Sequence, residues 1–385
     1  MDAVSTVPLI AAVLIFLASL VSLRLGFSVA IIEILFGVIA GNFFGFQPEP
    51  WMTYLAGFGG IVLTFLAGAE VDLRLLKSKA KESFLIGGLS FLLPLIAGFA
   101  FAYWILGWQL SASLISGIAL SANSIAVVYS VLVETGLNKN PVGKMIMAST
   151  FVTNICTALA LSLIFLKPDF FSLEFAGVSA IIIFFAAKYS EYLFNSRVYK
   201  NKVVEAEIKY IFVLLLALAY FANTAQSQAI LPAFILGLLM SPHIAGTFEI
   251  TNNIKTRLRT VAYALITPFF FILAGLRASI QLIISSFGAF ASLFAIKEVT
   301  KMIGAYIPAK KYLPNGEIYV SLLMSTGLTF GTISAVFGLQ YGYIDQAQFS
   351  VLIAVELASA IIPTVIAEKW FKPVHTEDIV NTNGK

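Results

Sequence analysis

Long apolar runs separated by short polar stretches recur along the chain from Ser5 to Phe371. A run of about 17 or more apolar residues is what a helix needs to cross a hydrocarbon layer about 30 Å thick. Inside such a layer every backbone N–H and C=O must find its partner within the segment, which selects helices. Thirteen spans follow, at approximately 5–23, 28–45, 52–68, 83–107, 111–133, 143–166, 173–193, 208–224, 229–243, 260–277, 283–308, 317–339 and 347–371. The ninth is short and has Pro232 near its start. The predicted class is an all-α polytopic membrane protein of about 13 transmembrane helices.

Composition agrees with the pattern. Apolar residues make up 59% of the chain and charged ones 11%, against about 45–50% and 25% in soluble domains. Most of the surface is therefore expected to face lipid. The single cysteine, Cys156, lies inside the sixth span and leaves no intramolecular disulfide or thiolate metal cluster to expect. The first span lacks the basic leader and small-residue cleavage site of a secretory signal, so it reads as a retained helix. His243 and His375 form no ligand set, and no Ser/Lys or paired-Asp arrangement with catalytic spacing stands out, so neither an enzyme nor a cofactor is expected.

Charge assigns an orientation. With thirteen spans the loops alternate, and nineteen of the 24 basic residues fall in the loops after odd-numbered spans or at the C-terminal end, counted there as Lys369, Lys372 and Lys385. They include Arg74, Lys77, Lys79 and Lys81 in one loop and Lys255, Arg257 and Arg259 in another; the opposite side holds Lys167 and Arg277. Cytoplasmic loops retain Lys and Arg, so the N-terminus is expected outside and the C-terminus, with the short tail 372–385, in the cytoplasm. The net charge of +4 follows from basic loops facing anionic lipid and points to no nucleic-acid partner.

Two local matches suggest an inverted repeat. Phe65-Leu66-Ala67-Gly68 in the third span resembles Phe271-Ile272-Leu273-Ala274-Gly275 in the tenth, and Ile34-Leu35-Phe36-Gly37 in the second resembles Phe234-Ile235-Leu236-Gly237 in the ninth. Both pairs are seven spans apart, so the copies would point opposite ways. The chain then reads as one membrane domain over 1–385. One repeat covers about 1–166, a linker helix about 173–193 and the second repeat about 208–371.

The corresponding fifth and twelfth spans carry small, hydroxyl-bearing and Gly-rich stretches at mid-depth. These are Ala119 to Ser124, with Ser121, Asn123 and Ser124, and Met324 to Thr332, with Ser325, Thr326, Gly327 and Thr329. Small residues often serve only close helix packing. Their matched positions in two repeats favour helices that unwind and cross at membrane depth, where freed backbone groups and helix ends can face an ion.

Ionisable groups at bilayer depth are costly and are functional candidates by default. The eleventh span holds Lys297, Glu298 and Lys301, in which a Glu298–lysine ion pair is the ordinary expectation. Glu33 and Glu356 are further carboxylates, expected to hydrogen-bond within the bundle or near an interface. The sixth span has a polar patch, Thr150, Thr153, Asn154 and Thr157. Thr153, Asn154 and Thr157 could bond neighbouring helices, or the Asn154 oxygen could ligate a cation, but an amide does not exchange protons near neutral pH.

In this order and spacing, the segments Glu33 to Gly37 with Ala40-Gly41, Leu66 to Leu73, Ala119 to Ser124, the sixth-span patch, Pro268 to Phe271, Lys301 with Gly304, and Ser325 to Thr332 resemble the sodium/proton exchanger-domain family of the cation:proton antiporter superfamily. The resemblance implies a NapA-like fold, in which a core domain slides against a dimer domain and the ion site lies where the fifth and twelfth helices cross. It also implies a homodimer and transport of Na+, Li+ or K+ against H+ across a prokaryotic cell membrane. Residue by residue, it places the ion-binding acid at Asn154, its polar partner at Thr153, the basic residue of the eleventh helix at Lys301, and the fifth-helix break at Asn123. Thr153 and Asn154 would then be the cation ligands. Position 154 departs from the family's aspartate, either by engineering or by natural loss. A partly dehydrated carboxylate lets H+ and a cation compete for one site, and that competition is exchange; an amide removes it. The expectation is a cation/proton antiporter with an impaired site. A non-transporting membrane regulator or an organic-solute symporter on the same fold are the alternatives.

Overall fold

The apolar runs fold as helices. The computed structural model describes residues 6–137, 140–165, 170–195, 205–225, 227–244, 254–313 and 316–371. The predicted tail 372–385, and with it His375, Lys372 and Lys385, lies outside these residues, as do Lys139, Lys167, Arg197, Lys200 and Lys202.

In chain order the helices begin with α1 (Val7–Leu25), α2 (Val29–Phe44), α3 (Pro50–Ala69), α4 (Leu73–Ser78) and α5 (Ala80–Ala100), which runs on into a π turn at Phe101–Ile105. The predicted fifth span is two pieces, α6 (Leu110–Ser121) and α7 (Ile125–Glu134), followed by α8 (Pro141–Ile164), α9 (Phe170–Asn195), α10 (Ala206–Thr224) and α11 (Ile230–Ile244). The tenth is α12 (Ile254–Val261), a π turn at Ala262–Ile266, and α13 (Thr267–Arg277). Then come α14 (Ile280–Ser285), α15 (Phe287–Tyr312), the second broken span as α16 (Glu317–Ser325) and α17 (Thr329–Gln340), and α18 (Gln346–Trp370).

Local chemistry sets several ends. Pro50 opens α3, where its missing N–H costs nothing. Asp345 and Gln348 form a reciprocal capping box at the start of α18. Among the described residues, ten helices are long and apolar enough to cross a membrane, and Val29–Phe44 and Ile230–Pro242 are shorter apolar ones. Many large apolar side chains stay exposed, such as Phe16 on α1, Trp104 on the π turn and Phe184 on α9, as a lipid-facing surface requires.

The chain divides into two compact units. The first comprises residues 1–72 and 158–280. Here α2 packs along α13, and α3 along α11. Four glycines allow the approach. A methyl on Gly37 would overlap the carbonyl of Ile272, and one on Gly275 that of Ile34; a methyl on Gly68 would overlap the carbonyl of Phe234, and one on Gly237 that of Phe65. Each glycine thus sits on the carbonyl three residues before its partner glycine. Helix ends beyond these contacts are tied alike. Asn42 donates through Nδ2 to the Ala278 carbonyl at 2.8 Å, and Ser241 donates to the Val71 carbonyl at 2.9 Å. Both accepting carbonyls lie three residues past a glycine of the set.

The second unit comprises residues 73–157 and 281–385. There α15 lies against α5, with Gly304 so close that a methyl would crowd the Leu89 carbonyl. A methyl on Gly87 of α5 would likewise overlap the Ser149 carbonyl of α8. The broken helices and α18 complete this unit around a core that includes Ile86, Val128, Ile146, Leu323 and Met324.

Candidate ion site

Both small-residue stretches interrupt their helices. The first break covers Ala122 to Ser124, where Ala122 (φ −62°, ψ 152°) and Ser124 (φ −107°, ψ 107°) are extended. Ser124 Oγ then accepts from the Val127 N–H and caps α7. The second covers Thr326 to Leu328, with Thr326 extended at φ −66°, ψ 123°. Hydroxyls just before each break serve backbone groups that the missing helical turns release: Ser121 donates to the Ile118 carbonyl and Ser325 to that of Leu322.

The two breaks meet. The Ser124 N–H donates to the Thr326 carbonyl at 3.1 Å. Asn123 pins the junction: its Oδ1 accepts from the Ser124 N–H at 2.9 Å and from the Thr326 hydroxyl at 3.0 Å, and its Nδ2 donates to Thr150 Oγ1 at 3.4 Å. The sulfur of Met324 lies 3.5 Å from the same nitrogen. Ser121, Asn123, Ser124 and Thr326 are all buried, whereas Thr329 opens α17 half-buried.

Along α8, residues 150, 153, 154 and 157 recur at helical spacing and share a face, and all four are buried. Thr150 ties this face to the junction through Asn123 and Met324. Thr153 donates its proton to a backbone carbonyl, with Gly87 O and Ser149 O both at 3.1 Å, so only its lone pairs remain to meet a cation. One turn beyond Thr150 stands Asn154, 1% exposed, whose Oδ1 has no hydrogen-bond partner among the described residues. A buried amide oxygen left unpaired is unfavourable unless another group comes to it, and a dehydrated alkali cation is such a group.

Lys297 and Lys301 of α15 are one turn apart and completely buried. Lys301 donates to the Met324 carbonyl at 3.2 Å, placing its charge at the C-terminal end of α16, the negative pole of that half-helix. Lys297 bonds Glu356 of α18 at 2.6 Å, and both side chains are fully buried. This corrects the expected Glu298–lysine pair. Adjacent residues of a helix do not face each other, and Glu298, next in sequence, is only half-buried and makes no ion pair with either lysine among the described residues. The carboxylate that reaches Lys297 comes from 59 positions along the chain.

Sequence reasoning therefore reached Asn123, Asn154 and Lys301. It gave no role to Thr150, Met324, Gly87 or the Lys297–Glu356 pair. Some of these left a signal: Lys297 lies four residues before Lys301, and Gly327 and Gly331 share that spacing in the second broken helix.

Two interrupted helices joined at their breaks, beside buried lysines and an unpaired amide oxygen, form the polar centre of the second unit. The chain belongs to the family described as "Sodium/hydrogen exchanger, transmembrane", whose sequence profile matches residues 10–372. It is 27% identical to the Na+/H+ antiporter of Enterococcus hirae, covering 93% of this chain and 96% of that protein. It is 22% identical to the Na+/H+-K+ antiporter GerN of Bacillus cereus, covering 90% of each. Its fold is similar to that of the sodium proton antiporter MjNhaP1 of Methanocaldococcus jannaschii, with a TM-score of 0.68 over 93% of this chain and 94% of that one at 17% identity.

Proposed function

We propose that this protein exchanges a monovalent cation, Na+, Li+ or K+, for a proton by alternating access, with the ion passing the junction of the two broken helices. The observation that carries the reading is the junction itself. At one place the second unit gathers two helix interruptions, the polar face of α8 with the unpaired Asn154 oxygen, and Lys301 at a half-helix end. Thr153 and Asn154 offer neutral oxygens to the cation. Because an amide takes up no proton, exchange through position 154 is weak in this chain, and a carboxylate there would strengthen it.

The membrane arrangement belongs to the same proposal. Thirteen crossings place the basic loops on one side, with the N-terminus outside and the C-terminus in the cytoplasm of a prokaryotic cell. Phe287–Tyr312 counts as a crossing despite Lys297, Glu298 and Lys301, since both lysines are sealed inside the protein. An inverted repeat is supported by the four-glycine pattern. Exchanging α2 with α11 and α3 with α13 turns the Gly37–Gly275 contact into the Gly237–Gly68 contact. A homodimer follows from the family resemblance.

Proteoliposomes carrying a pH-sensitive dye test the reading. Addition of Na+, Li+ or K+ is expected to move protons in the wild type, and more strongly in Asn154→Asp. If neither form moves protons with any of these cations, the exchanger reading fails.

A further inference from the structure

If position 154 cannot hold a proton, another group must. Among the described residues of the second unit, Glu356 is the one fully buried carboxylate. Its Oε1 accepts from Lys297 at 2.6 Å, while Oε2 has no hydrogen-bond partner. An ionised carboxylate with one oxygen left bare in a dry interior is expensive. That oxygen is an acceptor held ready for a proton or a small cation.

Its surroundings set it against the second helix break. The carboxylate lies against two glycines of the second broken helix. A methyl on Gly331 would overlap the Glu356 carboxylate, and one on Gly327, inside the break, would overlap Lys297 Nζ and Glu356 Oε2. Bare backbone at these two positions makes room for the pair beside the N-terminal end of α17, where free N–H groups and the helix dipole favour negative charge. Of the neighbouring groups, Lys301 bonds Met324 O, Asn154 does not titrate, and Glu298, which also has one buried oxygen without a hydrogen-bond partner, is only half-buried as a residue and has no ion pair among the described residues. The charged groups acting on Glu356 are Lys297, Lys301 and Glu298, all on α15. Of the other helices packed against α18, α6 and α17 carry no charged residue, α16 has Glu317 and Tyr319 near its start, and α7 has Tyr129 and a terminal Glu134.

We propose that Glu356, held through Oε1 by Lys297 and set against Gly327 and Gly331, binds the exchanged cation and the proton in turn at Oε2. When the cation leaves Oε2, a proton forms an O–H bond there; when the proton leaves, the cation returns. Both loaded forms carry the same net charge, so one cation replaces one proton without building up charge in the site. The proposal rests on the exchanger reading above and names the titrating group within it.

The test compares wild type, Glu356→Gln, Glu356→Asp and the double variant Lys297→Gln/Glu356→Gln in proteoliposomes. Folding of each is checked by size-exclusion chromatography and thermal unfolding in detergent. The double variant leaves neither member of the Lys297–Glu356 pair as a lone buried charge, so its stability is expected to survive. Expected results are cation-dependent proton flux in the wild type, flux at the level of empty liposomes in both Gln forms, and rescued flux in Glu356→Asp with a displaced pH of half-maximal exchange. Exchange at the wild-type rate and pH profile in the folded double variant overturns the assignment and leaves the exchanger reading standing. A folded Glu356→Asp protein without exchange overturns it as well. Absence of flux from both wild type and Asn154→Asp overturns both readings.

Discussion

Asn123 and Thr326 lie 203 positions apart, yet the Thr326 hydroxyl approaches Asn123 Oδ1 to 3.0 Å. Beside it the Ser124 N–H meets the Thr326 carbonyl. One side chain thus closes two helix interruptions against each other.

Asn123→Ala removes the bonds that the Asn123 side chain makes to Ser124, Thr326 and Thr150. The Ser124 N–H keeps the Thr326 carbonyl and the Thr326 hydroxyl keeps the Leu323 carbonyl, so each lost bond costs about 0.5–1.5 kcal/mol. The expected outcome is a lower unfolding temperature in detergent and loss of cation-dependent proton flux. Asn123→Thr, which keeps a hydroxyl oxygen, is expected to fall between alanine and wild type in both measurements.

The four glycines of the first unit are expected to respond alike. Alanine at Gly37, Gly68, Gly237 or Gly275 drives a methyl into a backbone carbonyl, and since backbone cannot swing aside as a side chain can, each costs about 1–3 kcal/mol or more. Gly57, also on α3 but facing open space, is the control. Gly57→Ala should leave the unfolding temperature near that of the wild type, and equal losses across all five positions would refute the packing account.

Gly331→Ala separates function from stability. Its methyl meets the Glu356 carboxylate, the end of a side chain that can shift, so the helices need not part. Proton flux in proteoliposomes is expected to fall far more than thermal stability. A proportionate loss of both would mean that Gly331 serves packing alone.

Lys301→Met should stabilise the protein. A fully buried ammonium incurs a desolvation cost of several kcal/mol. Its placement at the end of α16 returns at most about 2 kcal/mol, so desolvation wins. Thermal unfolding decides the point, since a Met variant less stable than wild type would show that the charge is better compensated than one carbonyl allows.

Hydropathy by itself determined the class and the approximate place of the long helices, though not of short ones such as α4 and α14, because crossing lipid demands about 20 apolar residues in a row and tolerates no unpaired backbone. The breaks were legible too, as small and hydroxyl residues clustered at matching depths of the fifth and twelfth spans. So were Asn123, Asn154 and Lys301, as polar groups in apolar surroundings. Pairing was not legible. That Lys297 takes Glu356 rather than the neighbouring Glu298 depends on which face of α15 meets α18, and that Asn123 reaches Thr326 depends on two distant breaks touching. The four-glycine contact was half visible, as a repeated Leu-Ala-Gly order, but sequence cannot say which copy packs on which. Helix formation is local and leaves its period in the sequence; the meeting of helices is set by complementary surfaces far apart along the chain, and only the tertiary structure brings those together.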